Sequence, residues 1–437
     1  MNQDGSIHTK TYWDRLLWLE EQAEDDDPDR TNRLLFMMME ENKQVRCIKW
    51  QNKRLNWQEH IVRELHTGTF GAKYHMPLPQ FNKLVNLLRD GITVDAVRSS
   101  ASTCGNTPIY PELIAGMTLR FLGGEKVKSL EDIFGVDHSS VSRLIELCFT
   151  TIVESNHKEL QIVLPQSTME LTDLARGFDS ISSGDGLFYS CVGAIDGWLC
   201  STIQPIDGDD VIANKRDYFS GHYQCFGLNV QAICDHRLRF IYFSVAAPGK
   251  TGDARAFNKC VKLNKWVDKF LKGSPYFFVG DNAYVLCDEL LITYSGRNMT
   301  EAQRTYNYFL SQMRIRIEMA FGRLTTKWRI FRAKLENSTK KNAMICRVAA
   351  ILHNFVINET TIDETVDGFI ESFPGAPSEA MGYLPVHGDD EDDEGNFSAT
   401  METSGAGVSH RRQAFLHIVQ RDGMTRPLHN ILRNNNN

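Results

Sequence analysis

Three acidic residues stand where a carboxylate can bind a metal ion. Asp196 and Asp281 each follow a short apolar stretch typical of a strand, and Glu318 lies in a stretch with helical spacing. Hard cations such as Mg²⁺ take oxygen ligands, and few protein carboxylates suffice because a substrate phosphate completes the shell. A pair of such ions can activate a water and stabilise the leaving oxygen of a phosphodiester. The three acids therefore predict a site for Mg²⁺ or Mn²⁺ that cleaves phosphodiester bonds.

Each acid also has a simpler explanation. Glu318 can form a surface ion pair with Arg314 one helical turn earlier, which is worth a few tenths of a kcal/mol. Asp196 and Asp281 can each simply begin a turn. However, 84 residues separate the two aspartates and 36 separate Asp281 from Glu318, which leaves room for the elements between them. Their order on strand, strand and helix favours one shared site.

Length and composition indicate a globular protein of two or three folded units within 437 residues. No apolar run approaches the roughly 18 residues that span a bilayer, and the first residues lack the apolar core of a signal peptide. We therefore expect a soluble, intracellular protein. The ten cysteines include no CxxC pair, so neither a zinc site nor a disulfide framework is expected.

The charge is unevenly distributed along the chain. The net charge is −7, but residues 191–355 carry 23 Lys and Arg against 14 Asp and Glu. The acidic excess lies in residues 20–29 and 389–394. Because the field near a polyanion depends on the face presented to it, the basic middle of the chain can still bind phosphate backbones.

The apolar pattern of the middle region predicts an α/β fold. Strands are expected at 188–195, continued by 197–203, and at 228–234, 238–246 and 276–279. One helix is expected to begin at Asp253 and continue past Trp266, and another covers 303–328. Three successive strands, a helix and a strand that ends on an aspartate are the order of a ribonuclease-H-like fold, with a mixed sheet flanked by helices.

An α-helical domain precedes this catalytic domain and contains a segment that is similar to a helix-turn-helix. Residues 129–134 and 139–154 have helical spacing, and a glycine-containing turn joins them. If the second helix reads DNA, Ser139, Ser140 and Arg143 near its start would face the duplex. The alternative is a small helical bundle that packs on the catalytic domain.

Four regions are predicted from these patterns. They are an N-terminal helical extension (1–75), the helical domain with the helix-turn-helix-like segment (76–165), the ribonuclease-H-like nuclease domain (166–358), and a mostly disordered acidic tail with a short C-terminal helix (359–437). Within the nuclease domain, Arg314, Arg323 and Lys327 would hold DNA through its phosphates. A solvated basic helix face is the alternative.

Five stretches in this order resemble the DDE-superfamily endonucleases of PIF/Harbinger-type transposons. They are GAIDGWLCSTIQP, GLNVQAICDHRLRFIYFSVAAPGKTGDARAF, FFVGDNAYVL, RIRIEMAFGRLTTKWRIF and ILHNF, and the likeness extends over residues 76–358. The resemblance implies that Asp196, Asp281 and Glu318 are the catalytic, metal-binding acids. It also implies that Asp253 is an accessory acid close to the site, whereas its simpler role is to cap the helix that it begins.

Two positions depart from the family pattern. Trp198 stands where a small residue often follows the first Asp-Gly pair, and Ala283 stands where a glycine commonly precedes Tyr284. Neither change removes a metal ligand. The resemblance further implies a nuclear location, DNA as the substrate and a separate Myb-like DNA-binding partner, and a homo-oligomer is a further expectation.

The leading functional hypothesis is a metal-dependent DNA endonuclease or transposase that cleaves and joins strands. A second hypothesis is a domesticated, catalytically silent DNA-binding protein that keeps the nuclease fold. A third is a repair or junction nuclease on the same fold. Comparing Mg²⁺-dependent nicking by the native chain and by Asp196→Ala would separate the first two.

Overall fold

The computed structural model describes residues 53–95, 108–184, 186–205, 214–360 and 407–426. The chain divides into two compact units, Met1–Lys53 and Arg54–Asn437, and the description below concerns the second. Most of the predicted N-terminal helical extension and of the predicted acidic tail lies outside the described residues, at 1–52, 361–406 and 427–437. The four predicted domain boundaries stay predictions.

The N-terminal part of the second unit is helical. Its aromatic side chains form one core, in which the Trp57 ring lies 5.3 Å from Phe81 and 5.6 Å from Tyr74. Tyr74, Phe81 and Phe134 are fully buried. The helices are α1 (Trp57–His66), α2 (Phe70–Tyr74), α3 (Leu78–Ile92), α4 (Pro111–Leu122), α5 (Val127–Phe134), α6 (His138–Val153) and α7 (Thr168–Asp179).

Helices α5 and α6 form the segment that the sequence indicated as helix-turn-helix-like. Gly135 ends α5 in the left-handed region, with φ at 61°, where a residue without a side chain fits. Asp137 then caps α6 by accepting a hydrogen bond from the Ser139 backbone N–H at 3.2 Å. The apolar stripe of α6, which includes Val141 and Leu144, is buried. The turn chemistry therefore fixes where the second helix begins.

The sheet lies at the centre of the nuclease domain and has the strand order predicted for a ribonuclease-H-like fold. The central strand β1 pairs antiparallel with β3 on one side and parallel with β5 on the other. Strand β4 pairs antiparallel with β3, and β6 pairs parallel with β5. The strands are β1 (Cys191–Ser201), β2 (Phe219–Ser220), β3 (Cys225–Cys234), β4 (Phe240–Pro248), β5 (Phe277–Val279) and β6 (Leu290–Leu291).

The first strand continues as the sequence predicted, because β1 covers parts of both the 188–195 stretch and its continuation at 197–203 and is 11 residues long. One detail differs from the sequence-based expectation. The helix predicted to begin at Asp253 is divided into α8 (Asp253–Lys259) and α9 (Val261–Phe270). The division lies at Cys260, where the backbone leaves the helical region with ψ at 68°. Helix α8 lies against β3 and β4.

Three later helices pack around the sheet. The first is α10 (Glu301–Lys327), which begins with a capping box between Thr300 and Gln303 and packs on β1. The others are α11 (Thr339–Glu359), in which more than half of the residues are buried, and α12 (His410–Arg421) near the C-terminus. None of the helices in the described ranges is both long and apolar enough to cross a membrane.

Candidate active site

Asp196 and Asp281 meet because of the register between two parallel strands. Ala194 of β1 pairs with Val279, the last residue of β5. Continuing this register by two residues places Asp281 level with Asp196, across a strand spacing of about 4.8 Å. Strand β1 continues beyond the end of β5, so the two aspartates lie side by side at the point where β5 ends. This is the meeting predicted from the sequence.

The electrostatics of Asp196 reflect this crowding. Burial raises the pKa of Asp196 well above its usual range, and the negative charges of Asp281 and Asp253 raise the pKa further. The Gly197 N–H, which donates to Asp196 Oδ1 at 2.8 Å, and the Arg314 guanidinium lower it. The charges of Asp281 and Asp253 therefore both act on the buried Asp196.

Asp253 reaches the site from the other face of β1. A side-chain carbon on Gly197 would collide with Asp253 Oδ1 and the carboxyl carbon, so only glycine leaves space for this carboxylate. The Asp253 side chain makes no capping hydrogen bond at the start of α8. The simpler role as a helix cap is therefore not what the structure has.

Two buried amides hold the Asp253 carboxylate. Asn229 Nδ2 donates to Asp253 Oδ1 at 3.0 Å, and Gln231 Nε2 donates to the same oxygen at 2.8 Å. The Tyr284 hydroxyl in turn donates to Gln231 Oε1 at 2.7 Å. Tyr284 is fully buried, Gln231 is 2% exposed and Asn229 is 7% exposed. One set of hydrogen bonds thus connects Tyr284, which follows Asp281 in the chain, to the residues that hold Asp253.

Tyr223 is a further residue near the acids that the sequence did not indicate. It lies on the turn between β2 and β3, where its backbone N–H donates to Ser220 Oγ at 3.4 Å. Burial, followed by the charges of Asp253, Asp196 and Asp281, raises the pKa of Tyr223 to about 12. Its hydroxyl therefore stays protonated at neutral pH and can only act there as a hydrogen-bonding group.

Glu318 is not brought together with the aspartates in this structure. Its Oε1 lies 2.6 Å from Arg314 Nη1, the ion pair that the sequence offered as the simpler explanation. The pair is not a free surface contact, because the Arg314 side chain is only 19% exposed. Since the Arg314 charge also acts on Asp196, Glu318 is one ion pair away from the acid cluster. A change of side-chain rotamer would be needed for Glu318 to join it.

The side chains at this site have the chemistry to bind a divalent cation, although they do not surround one closely in this structure. The donors are all carboxylate oxygens, which is the chemistry that Mg²⁺ and Mn²⁺ prefer. A cation would also offset the repulsion from Asp281 and Asp253, which adds to the effect of burial in raising the pKa of Asp196. In the part of the chain that the structure describes, no three His, Cys, Asp or Glu side chains stand close enough together to hold a metal ion. Asp196 and Asp281 would be the first ligands, and Glu318 would follow on leaving Arg314.

The predicted DNA-binding residues fall into two places. Ser139 and Arg143 are exposed on α6, Ser140 is half-buried, and the Ser139 hydroxyl donates to Asp137 Oδ2 at 2.5 Å. On α10, Arg323 and Lys327 are half-buried, one turn apart. Burial, with a smaller contribution from the Arg323 charge, lowers the pKa of Lys327 to about 8. Their DNA contacts stay predictions.

The bulky Trp198 belongs to the core. Its ring lies 5.7 Å from Phe321 of α10 and 5.1 Å from Phe331, and only 7% of Trp198 is exposed. The departure from the family pattern at this position therefore fixes α10 against β1. Asn282, which follows the second aspartate, accepts a hydrogen bond from the Thr293 hydroxyl at 2.7 Å, which anchors the loop after β5.

Comparison with known proteins supports this interpretation of the site. Residues 196–354 match the family of DDE superfamily endonucleases, and the match begins at Asp196 and includes Asp281 and Glu318. This match agrees with the sequence resemblance to DDE-superfamily endonucleases. The chain is also 24% identical to Protein ALP1-like of Arabidopsis thaliana over 330 residues. This aligned region covers 72% of this chain and 77% of that protein. No solved structure matches the chain.

Proposed function

We propose that this chain is a metal-dependent DNA endonuclease, a transposase of PIF/Harbinger type that cleaves phosphodiester bonds and joins strands. The observation that carries the proposal is the register that puts Asp281 level with Asp196, with the charge of Asp253 acting on the same place. The endonuclease family match over these residues supports it. A cluster of acids within a basic domain fits a site where a cation and a phosphate are bound together.

Each side chain has a distinct role in this proposal. When bound, Mg²⁺ or Mn²⁺ would activate the attacking water or 3′-OH and stabilise the departing 3′ oxygen. Asp196 would hold the cation from the middle of β1 and Asp281 from just beyond the end of β5, and Glu318 would complete the ligand set from α10. Asp253 would add negative charge from the opposite face of β1. This chemistry needs no side-chain general base.

The DNA backbone would be held by basic residues next to the site. Arg314, Arg323 and Lys327 lie on α10. The exposed Arg329 and Lys334 come directly after this helix. Leu335 forms an isolated β-bridge with Thr202, just beyond the end of β1. At about 3.3 Å per residue, Thr202 lies about 20 Å along the strand from Asp196. Contacts to phosphates at that distance would position the duplex without reading its sequence.

The setting of the reaction is part of the same proposal. The family resemblance suggests a nuclear protein that acts on DNA with a separate Myb-like partner, which would supply recognition of the repeat ends. Helix α6 offers only a small exposed surface at Ser139 and Arg143, and this fits a chain that leaves most sequence reading to a partner. A homo-oligomer would allow two ends of one element to be cut together.

The second candidate is a domesticated protein that binds DNA and no longer cuts it. The observation that favours it is the Arg314–Glu318 ion pair, because Glu318 is occupied by a cation from the chain itself. In this case the acids would persist without forming a closed metal site. DNA binding alone would then be the retained activity.

Plasmid nicking separates the two candidates. Purified chain would be incubated with supercoiled plasmid and Mg²⁺ or Mn²⁺, beside Asp196→Asn and Asp281→Asn, which keep the side-chain shape. The proposal predicts nicking by the native chain and a loss on the order of 1,000-fold or more in both variants, because each removes an acid needed for the reaction. Equal nicking by all three would refute the assignment. DNA binding without nicking by any of them, with the Myb-like partner present, would favour the domesticated protein.

A further inference from the structure

The hydrogen bonds that hold Asp253 fix the orientation of the Asn229 and Gln231 side-chain amides. Gln231 Nε2 uses its two hydrogens on Asp253 Oδ1 and on Asn229 Oδ1, the latter at 2.9 Å. Asn229 Nδ2 uses its two hydrogens on Asp253 Oδ1 and on the Thr251 carbonyl oxygen at 3.0 Å. Each amide nitrogen therefore has no spare donor. The amides can present only their N–H groups to Asp253.

Tyr284 sets this orientation. Its hydroxyl donates to Gln231 Oε1, which fixes the oxygen of that amide on the side away from Asp253. Without the hydroxyl, the buried Gln231 oxygen would have no partner, and an amide rotated by half a turn would bring that oxygen against the Asp253 carboxylate. A buried polar atom left without a partner costs about 1–3 kcal/mol. The hydroxyl is thus what makes the observed orientation the favoured one.

The network also ends beside the second aspartate. Asp281 Oδ1 accepts the Ala283 N–H at 2.9 Å, a turn that directs Tyr284 back into the core. The loop that carries Asp281 and the strand β3 that holds Asp253 are therefore joined through one hydroxyl. Both amides donate to Oδ1 of Asp253, and within the described ranges Oδ2 has no hydrogen-bond partner.

We propose that Tyr284, Gln231 and Asn229 act as positioning residues, which fix the Asp253 carboxylate against Gly197 and so set the affinity of the acid cluster for a divalent cation. With Oδ1 fixed, Oδ2 is the atom that Asp253 can offer to the cation or to its bound water. Residues that orient metal ligands in this way typically alter metal affinity by about 10- to 100-fold when they are removed. The inference rests on the proposed metal-dependent function and assigns three residues to it.

Mn²⁺ binding in the full-length chain, measured without DNA, tests the inference. The readout is the rise in Tm on titration with Mn²⁺, compared between the native chain and Tyr284→Phe. The inference predicts that Tyr284→Phe needs about tenfold more Mn²⁺ for the half-maximal rise. Tyr306→Phe is the matched control, because Tyr306 is also fully buried but its hydroxyl has no hydrogen-bond partner in the described structure. It should titrate like the native chain.

The outcomes are distinguishable from those of the proposed function. If Tyr284→Phe titrates like the native chain, or if the native chain shows no response to Mn²⁺, the inference is overturned. A chain that binds Mn²⁺ through this network yet never nicks DNA would leave the inference standing and refute the nuclease. Should Tyr284→Phe not fold, Gln231→Met, which removes the amide but keeps most of the buried volume, gives the same readout and the same decision.

Discussion

The carboxylate of Asp253 occupies the space directly in front of Gly197, the residue that follows the first acid of the site. Gly197→Ala would push Asp253 off its position, because the added methyl group and Asp253 Oδ1 cannot occupy the same place. We expect a loss of nicking on the order of 100-fold, the size typical of a misplacement of about 1 Å in an active site. Plasmid nicking at saturating Mg²⁺ measures it.

The matched control for that variant is Gly322→Ala on α10. A side-chain carbon at Gly322 would meet no atom within 4 Å, and alanine favours a helix over glycine by about 1 kcal/mol. This variant should keep its nicking activity and gain some stability. Native activity in Gly197→Ala would show that the contact between Gly197 and Asp253 does not matter to the reaction.

Arg314 is expected to compete with a metal ion for Glu318, because the two side chains form an ion pair. Arg314→Gln removes the ion pair at 2.6 Å and frees the carboxylate. Because Glu318 is 40% exposed, the pair is worth at most about 1 kcal/mol, so we expect the Mn²⁺ concentration for half-maximal thermal stabilisation to fall about two- to fivefold. Arg304→Gln, which removes an equal charge from an ion pair at the start of α10, should leave the titration unchanged. Weaker Mn²⁺ binding in Arg314→Gln would argue against Glu318 as a ligand.

Lys327 is expected to lower the stability of the fold and to contribute to DNA binding. Its pKa is lowered from 10.5 to about 8, so the cost of burying its charge is fully present below pH 8 and is relieved as the pH rises from 8 towards 10.5. The lowering from 10.5 to about 8 corresponds to about 3.5 kcal/mol, so Lys327→Met should raise the Tm at pH 7 by about 7–14 °C, and the gain should shrink above pH 8. One pKa unit corresponds to about 1.4 kcal/mol, and 1 kcal/mol moves the Tm of a large domain by about 2–4 °C.

The same variant should bind DNA more weakly, to a similar degree for unrelated sequences, since a phosphate contact carries no sequence information. Thermal unfolding across pH 6–10 and DNA titration at fixed salt check the two effects. Lys340→Met is the control for stability, because Lys340 is exposed on α11. A lower Tm together with unchanged DNA affinity would contradict both parts of this prediction.

The C-terminal helix α12 is expected to stabilise the nuclease domain. Phe415 is 8% exposed, and its ring lies 5.1 Å from Phe188 and 5.6 Å from Phe277 of β5. Phe415→Ala should lower the free energy of unfolding by about 3–5 kcal/mol, as is usual for a buried aromatic side chain. Chemical denaturation checks this value. The exposed Gln413→Ala should be neutral, and equal stability of the two variants would show that α12 does not dock as described.

The sequence was sufficient to predict what depends on strand order and register. The apolar stretches that precede Asp196 and Asp281 defined two strands, and a parallel register then brings the acids level. The position of a charged side chain on a helix is harder to predict, because several rotamers are open to it and the nearest opposite charge decides among them. Glu318 turns to Arg314 for this reason.

The network around Asp253 could not have been predicted from spacing either. Asn229, Gln231 and Tyr284 lie inside family-like stretches, but hydrogen bonds between side chains from two strands and a loop depend on the packed structure. Nothing local distinguishes Asp253 from an ordinary helix-capping aspartate. The aspartate before a helix start indicated a cap, whereas the tertiary fold provides stronger partners for its carboxylate.

The central claim is that Asp196, Asp281 and Glu318 bind one divalent cation beside the end of β5, where Asp281 lies level with Asp196 in the middle of β1. A crystal structure of the chain soaked in Mn²⁺, with the metal located by anomalous scattering, tests it directly. The account predicts a peak between Asp196 and Asp281, with a Glu318 oxygen at about 2.0–2.2 Å from the metal and the Arg314 contact broken. Absence of a peak at saturating Mn²⁺, or a metal bound there while Glu318 stays on Arg314, would contradict it.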